Sequence, residues 1–337
     1  MSVTKVVILN WNGREHLERF LPSVVRSLKE GVDVVVADNG STDDSVEMLR
    51  TNFPEVELIL LDRNYGFAGG YNRALQQVDA DYVVLLNSDV ETPEGWLEPL
   101  IEVLDENSDV GAVAPKLRAF CEPSKFEYAG ASGGYIDFLG YPFCRGRILK
   151  YTEQDRGQYD DRCDVFWVSG AAFCCRKILF DKLGGFDEDF FAHMEEIDLC
   201  WRMQLDGWRI QIVPQSTVYH LGGGTLATDS PRKVFFNHRN NLAMLFKCAS
   251  TRQRCVVAVV RPMLDLMAAC SYLVQGHGRN FWAVFRAYKD FVLWHGALSQ
   301  KRKVIQQNKK ASVSKRIYRG SIVLRFMFGK KEFDHMM

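Results

Sequence analysis

Four apolar runs in the first ninety residues each stop at an amide or a carboxylate. KVVIL (5–9) gives way to Asn10, Trp11 and Asn12, and VDVVVA (32–37) to Asp38, Asn39 and Gly40. VELILL (56–61) leads to Arg63 and Asn64, and YVVLL (82–86) to Asn87, Ser88 and Asp89. Each run is long enough for one strand and too short for a helix. Between them lie stretches with helical apolar spacing: REHLERFLPSVVRSL, DDSVEMLRTNF with Ser41 or Thr42 as its N-cap, and GFAGGYNRALQQV. A further helix, PEGWLEPLIEVLDEN, is expected from Pro93, followed by a strand at VGAVAPKL. Apolar strands separated by helices imply an α/β fold with a mostly parallel sheet covered on both faces. In such sheets ligands sit outside the carboxyl ends of the strands, so the polar clusters share one crevice. Asp89 then faces that crevice rather than serving only a turn.

The chain has 337 residues, 47% of them hydrophobic, enough for one large core and a smaller unit. Its net charge is zero but unevenly spread. Residues 1–240 carry 24 Lys/Arg against 38 Asp/Glu, whereas 241–337 carry 18 against 4. That asymmetry predicts an acidic domain over 1–240 and a helical, basic C-terminal extension over 241–337 that meets an anionic surface. Nine cysteines, with no CxxC pair, fit neither a disulfide framework nor a zinc site. With an N-terminus that enters a strand directly, they suggest a reducing cytoplasm. The longest apolar stretch, 255–274, carries Arg261, Pro262 and Asp265, which argues against an ordinary spanning helix. Residues 116–165 are irregular and read as a loop or hairpin insertion over the cleft.

Six segments in order carry a resemblance: VVILNWNG, VVADNGSTDDS, NYGFAGGYNRAL, VVLLNSDVE, the stretch from VSGAAFCCRK to DLCWRMQLDGWRI, and VYHLGGGT. Over roughly residues 3–240 the chain resembles a family 2 glycosyltransferase of the GT-A fold, in style the bacterial rhamnosyltransferase-like branch. The resemblance implies a Rossmann-like sheet flanked by helices and inverting transfer of a sugar. The donor would be a UDP- or dTDP-sugar, and the acceptor a saccharide or lipid-linked saccharide of a surface polysaccharide.

A departing diphosphate suits a hard cation bound through few carboxylates, so Mn²⁺ or Mg²⁺ is expected. Asp89 matches the last position of the family's metal motif, whose first acidic position is Asn87 here. His220 resembles the second ligand, and the glycines after it let backbone approach a ligand closely. Asp38 is expected to accept from the imide of a uracil or thymine, with Asn10 and Asn12 lining the base, or else to cap the next helix. By resemblance Asn64, Arg73 and Ser88 lie near the nucleotide, although the glycines of 66–70 equally suit strand–helix packing.

The family's general base falls in HMEEIDL. Its second acid is Glu196, one methylene longer than the family's Asp, with Glu195 and Asp198 beside it; spacing does not say which of Glu195 and Glu196 points inward. Three clustered carboxylates should raise at least one pKa, as such a base needs. Trp167 and Gly170 are expected along the sugar site, and Arg239 over the diphosphate.

Aromatic residues at 281–294 and eleven Lys/Arg between 301 and 331 fit docking on an anionic inner leaflet, or else a solvated tail. No nucleic-acid motif is present, so no nucleic-acid partner is expected. The rival readings are a nucleotidyltransferase, for which LNWNGREHL is a poor triphosphate loop, and a non-catalytic nucleotide-sugar binding module. Spacing fixes no oligomeric state.

Overall fold

The computed structural model describes residues 2–222, 230–313, 316–333 and 336. In chain order its strands are β1 (Thr4–Asn10), β2 (Val32–Asp38), β3 (Glu57–Leu60), β4 (Tyr82–Leu86), β5 (Val90–Glu91), β6 (Val110–Ala119), β7 (Glu122–Phe126), β8 (Gly134–Asp137), β9 (Pro142–Cys144), β10 (Arg147–Ile148), β11 (Tyr151–Thr152), β12 (Cys163–Asp164), β13 (Ala172–Arg176), β14 (Arg209–His220) and β15 (Ile317–Tyr318). The helices are α1 (Arg14–Ser27), α2 (Ser45–Asn52), α3 (Gly66–Leu75), α4 (Glu98–Glu106), α5 (Lys177–Lys182), α6 (Glu195–Leu205), α7 (Pro231–Cys248), α8 (Thr251–Val274), α9 (Gly278–Leu293), α10 (His295–Gln307) and α11 (Ile322–Met327).

One sheet runs β12-β14-β6-β13-β4-β1-β2-β3, with β5 paired to β14 and β7 to β6. Side chains alternate across it as the pleat requires. Val6, Ile8, Val34, Val36, Val84 and Leu86 pack with α1 and α4 on one face. Val7, Val35, Val83 and Leu85 pack with α3 and α6 on the other. Both faces are covered, as the continuous apolar runs require. The register puts Asn10 opposite Asp38 and Ile8 opposite Leu86, so the polar strand ends do share one rim.

The sheet is mixed rather than purely parallel: β13 lies between β4 and β6 and runs antiparallel to both. The chain re-enters the sheet from the carboxyl rim after residue 165, and a strand entering there must run against its neighbours. The helix expected from Pro93 starts at Glu98, because Val90–Glu91 pairs with β14 and Gly95 turns the chain with φ of 76°. The cap of α2 falls on Asp44 rather than Ser41 or Thr42, whose groups are bonded to Asn10 and Asn12. Residues 116–165 are more than a loop. They build a second sheet, β11-β10-β9-β8-β15, whose last strand comes from the C-terminal region.

Part of the basic stretch is bound to the acidic body. Lys301 pairs with Asp187 and Asp189, Lys310 with Asp206, and Arg316 with Asp164. Arg302 donates to the carbonyls of Phe246, Lys247 and Ala249. The opposed charges of the two segments therefore partly cancel within the molecule.

Candidate active site at the strand ends

β5 pairs antiparallel with the end of β14, setting Val90 against His220, and Leu221 N donates to Asp89 O at 3.0 Å. This short pairing brings together Asp89 and His220, 131 positions apart in the chain. His220 Nε2 lies 3.1 Å from Asp89 Oδ1, and the Asn87 amide nitrogen lies 3.4 Å from the same ring atom. The other ring nitrogen, Nδ1, sits 3.3 Å from Glu127 Oε1, off hydrogen-bond alignment. Asp89, His220 and Glu127 are buried. Burial alone would lower the imidazole pKa, but Glu127 and Asp89 overrule it and push it up to about 10. Burial raises Asp89, and the His220 contact more than offsets that, so its pKa falls below the usual carboxylate range.

Asp89 and His220 fit a divalent ion as donors: one carboxylate and one imidazole converge, and Glu127 orients the ring from behind. An ion competes for the same lone pairs as the bridging proton. Among the described residues no three His, Cys, Asp or Glu side chains form a complete metal cage. The remaining coordination positions are left to diphosphate and water, which suits Mg²⁺ or Mn²⁺. Glu127 carried no signal in the sequence, since it lies in the irregular 116–165 stretch. Gly222 explains part of the glycine signal: its φ is 73°, and a Cβ there would meet Glu127 Oε1 at 3.1 Å. Gly223 and Gly224 lie outside the described residues.

On the β1–β2 side, Asp38 accepts from Asn10 Nδ2 at 3.0 Å and from Ser41 N at 2.9 Å. Asn12, at φ of 49°, accepts from Thr42 N at 2.7 Å, while Asn10 Oδ1 is buried without a partner. Asp38 thus holds the loop between β2 and α2 and does not cap the helix itself. Ser88 Oγ lies on the same floor, near Gly13. Asn64 Oδ1 accepts from Gly66 N at 2.7 Å and from Asn39 Nδ2 at 3.2 Å. The first amides of α3, Phe67 N and Ala68 N, donate to Phe191 O at 2.7 and 3.2 Å. That N-terminus is occupied by protein and is no phosphate cradle. Arg73 turns away along α3 to Gly69 O and Glu188, and no contact joins it to Asp38 or Asp89.

Glu195 and Glu196 open α6, each with an Oε2 atom buried and unpaired. Burial pushes Glu196 up to about 7, and burial with the neighbouring Glu196 charge pushes Glu195 well above the carboxylate range. Glu196 lies beside Gly170, whose notional Cβ is 3.9 Å from Glu196 Cβ and 3.3 Å from Phe67. Ala171 O in turn accepts from Asn87 N at 3.0 Å, so one continuous wall runs from Glu196 to Asp89. Asp198 points the other way, fully buried between Arg202 at 2.7 Å and Lys247 at 2.9 Å. Replacing it (Asp198→Ala) takes a buried carboxylate from two buried cations, leaving Lys247 with Asp187 and Arg202 with the Leu183 and Gly185 carbonyls, and should cost about 3–5 kcal/mol of stability. Denaturant unfolding checks this, and a loss below about 1 kcal/mol would contradict the ion-pair account.

Trp167 and Arg239 do not face this wall. The Trp167 ring is in the core, donating to Tyr135 O at 3.0 Å and packed so closely on Gly134 that a Cβ there would sit 2.0 Å from it. Arg239 donates to Asp189 O and Phe190 O at 3.0 and 3.3 Å and stacks on Trp294. Its neighbour Asn240 donates to the carbonyls of Phe190, Ala192 and His193. Together they grip the segment before α6, where Phe191, His193 and Met194 all have positive φ, each costing of order 1 kcal/mol or more. Asn240→Ala should therefore lower turnover while leaving donor affinity nearly unchanged, and steady-state kinetics with donor titration separate the two.

Paired ion donors at the strand ends, joined along one wall to protonatable acids, are the layout of a GT-A enzyme. The pattern of Glycosyl transferase family 2 matches residues 5–180, and the chain belongs to that family. It is a glycosyltransferase. Among its relatives is the N-acetylglucosaminyl-diphospho-decaprenol L-rhamnosyltransferase of Mycobacterium tuberculosis, 30% identical over 72% of this chain and 84% of the relative. Another is the pre-mycofactocin glycosyltransferase of the same organism, 29% identical over 68% of this chain and 45% of that protein. The fold is shared with GalNAc-T7 solved with UDP, GalNAc and Mn²⁺, at TM-score 0.58 and 16% identity, over 73% of this chain and 48% of that one. It is shared too with the mannosyltransferase PcManGT of Pyrobaculum calidifontis solved with GDP-Man and Mn²⁺, at TM-score 0.53 and 14% identity, over 91% and 86% of the two chains.

Proposed function

We propose that this glycosyltransferase inverts configuration while moving a sugar, rhamnose or one like it, from a UDP- or dTDP-activated donor to a lipid-linked saccharide. The proposed setting is cell-surface polysaccharide synthesis at the cytoplasmic face of the membrane. Residues 1–240 form the proposed catalytic unit, and the basic region 241–337 the part that meets an anionic inner leaflet. The observation that carries the reading is the buried Asp89–His220 pair facing, along one wall, a Glu196 whose pKa is pushed up to about 7. The rhamnosyltransferase relative supports the donor and acceptor classes.

Asp89 and His220 would hold a divalent ion, which when bound neutralises charge on the departing diphosphate. Asp38, with Asn10 and Asn12 beside it, reads the pyrimidine imide. Glu196 takes the proton of the acceptor hydroxyl as that oxygen attacks the anomeric carbon and the bond to diphosphate breaks on the opposite face. Glu195, held protonated, keeps a second negative charge away from that base. Asp198, Arg239 and Asn240 position the acids without touching substrate.

Thermal unfolding with UDP-, dTDP- and GDP-sugars, with and without Mn²⁺, tests the reading. A uracil or thymine nucleotide should give the largest rise in midpoint, and only with the ion. A guanine nucleotide winning, or a rise indifferent to Mn²⁺, refutes the assignment of Asp38 or of the ion pair respectively.

A further inference from the structure

We infer that the outer faces of α8 and the start of α9 form an in-plane docking surface for an anionic lipid bilayer. This deepens the membrane reading above and rests on it, but it moves the main contact from the basic stretch to an apolar helix face.

α8 has two unlike sides. Gln253, Val257, Arg261, Asp265 and Ala269 recur every four residues and are buried against the body. Arg261 donates to Leu139 O at 2.8 Å and Asn241 Oδ1 at 2.7 Å, and Asp265 accepts from Tyr141 at 3.1 Å and Tyr288 at 2.7 Å. The opposite side exposes no charged residue from Cys255 to Val274. Val259, Met263, Met267 and Val274 are 63%, 64%, 55% and 89% exposed there, and α9 adds Trp282 at 63%. A surface in water intersperses charge over such a length.

Charge selects the occupant. Exposed Arg252 stands at one end of the stripe, and Arg279 and Arg286 at the other. The carboxylates of α8 and α9 are Asp265, buried against the body, and Asp290, partly buried. An apolar stripe between cations, with a tryptophan at its border, matches headgroups over acyl chains. By length and composition α8 would suffice to cross a bilayer. Its mid-helix Arg261 and Asp265 bind it sideways to the catalytic body, however, and a crossing helix would have to strip those partners and carry both charges into hydrocarbon. The helix therefore lies along the surface.

The test is flotation of the full chain with phosphatidylglycerol–phosphatidylcholine vesicles, beside pure phosphatidylcholine. Wild type should float with the anionic vesicles. The double variant Met263→Glu/Met267→Glu should lose at least tenfold in bound fraction, with unchanged melting, gel-filtration size and donor hydrolysis. Its floating like wild type overturns the helix face; if Lys303→Gln/Lys309→Gln alone abolishes flotation, the membrane reading survives on the basic stretch. Wild type failing to float overturns both membrane statements and leaves the transferase reading to the donor-hydrolysis result. A wild-type dimer that the double variant splits, without vesicle binding, assigns the face to a second copy and overturns the inference.

Discussion

Replacing Asp89 by Asn should abolish transfer, with turnover falling on the order of 10³-fold or more. The basis is the loss of charge stabilisation at the leaving diphosphate, worth several kcal/mol, with each 1.36 kcal/mol of barrier about tenfold in rate. The side chain keeps its volume, and Leu221 N still donates to the Asp89 backbone carbonyl, so β5 remains paired with β14. Folding should survive. The variant should also lose the Mn²⁺-dependent part of the nucleotide-induced thermal shift, a readout independent of turnover. Near-normal turnover in Asp89→Asn would mean that the carboxylate only fastens the turn after β4.

Glu196→Gln should depress turnover by roughly 10²–10⁴-fold, the usual worth of a positioned base. Donor affinity should change little, because the base acts on the acceptor hydroxyl. The wild-type rate should follow the Glu196 titration. Burial holds this acid protonated below about 7, so activity rises as pH passes upward through about 7, where the basic form appears. Glu195→Gln provides the contrast. Glu195 stays protonated well above the carboxylate range, so a neutral amide is a close substitute and activity should largely persist. An acid whose folded pKa is raised destabilises the fold as pH climbs above its unfolded value, since the unfolded chain releases the proton more readily. Glu195→Gln removes that penalty, and its melting midpoint should exceed wild type more at pH 8 than at pH 5. If Glu195→Gln kills turnover and Glu196→Gln does not, the two roles are exchanged.

The strand ends were the most legible part of this sequence. Apolar runs broken by Asn10, Asp38, Asn64 and Asp89 state both the sheet and its polar rim, because period and polarity change at the same residues. The antiparallel β13 was not legible: a buried five-residue run reads alike in either direction. Trp167 looked like a sugar platform, yet it fills the space above Gly134, which only three-dimensional packing reveals. Arg239 read as a diphosphate ligand because a cation beside the cleft is electrostatically plausible. Its guanidinium instead satisfies carbonyls of a segment fifty residues earlier in the chain. Glu127 was hidden because it follows β7, a short strand added to β6, and no periodicity marks such a contribution. The basic stretch was legible in amount but not in destination, since Lys301, Lys310 and Arg316 meet acids of the same molecule.

The grip of Arg239, Asn240, Lys247 and Lys301 on residues 187–193 gives manufacture of this enzyme an order. The twisted stretch ahead of Glu196 is fastened by helices that leave the ribosome later. Until α10 has emerged and seated, Glu196 hangs from an unlatched hinge. A nascent or clipped chain could then hold nucleotide on its finished half without hydrolysing or misdirecting the sugar. Competence would arrive late in synthesis, with the same helical layer that carries the exposed apolar face of α8.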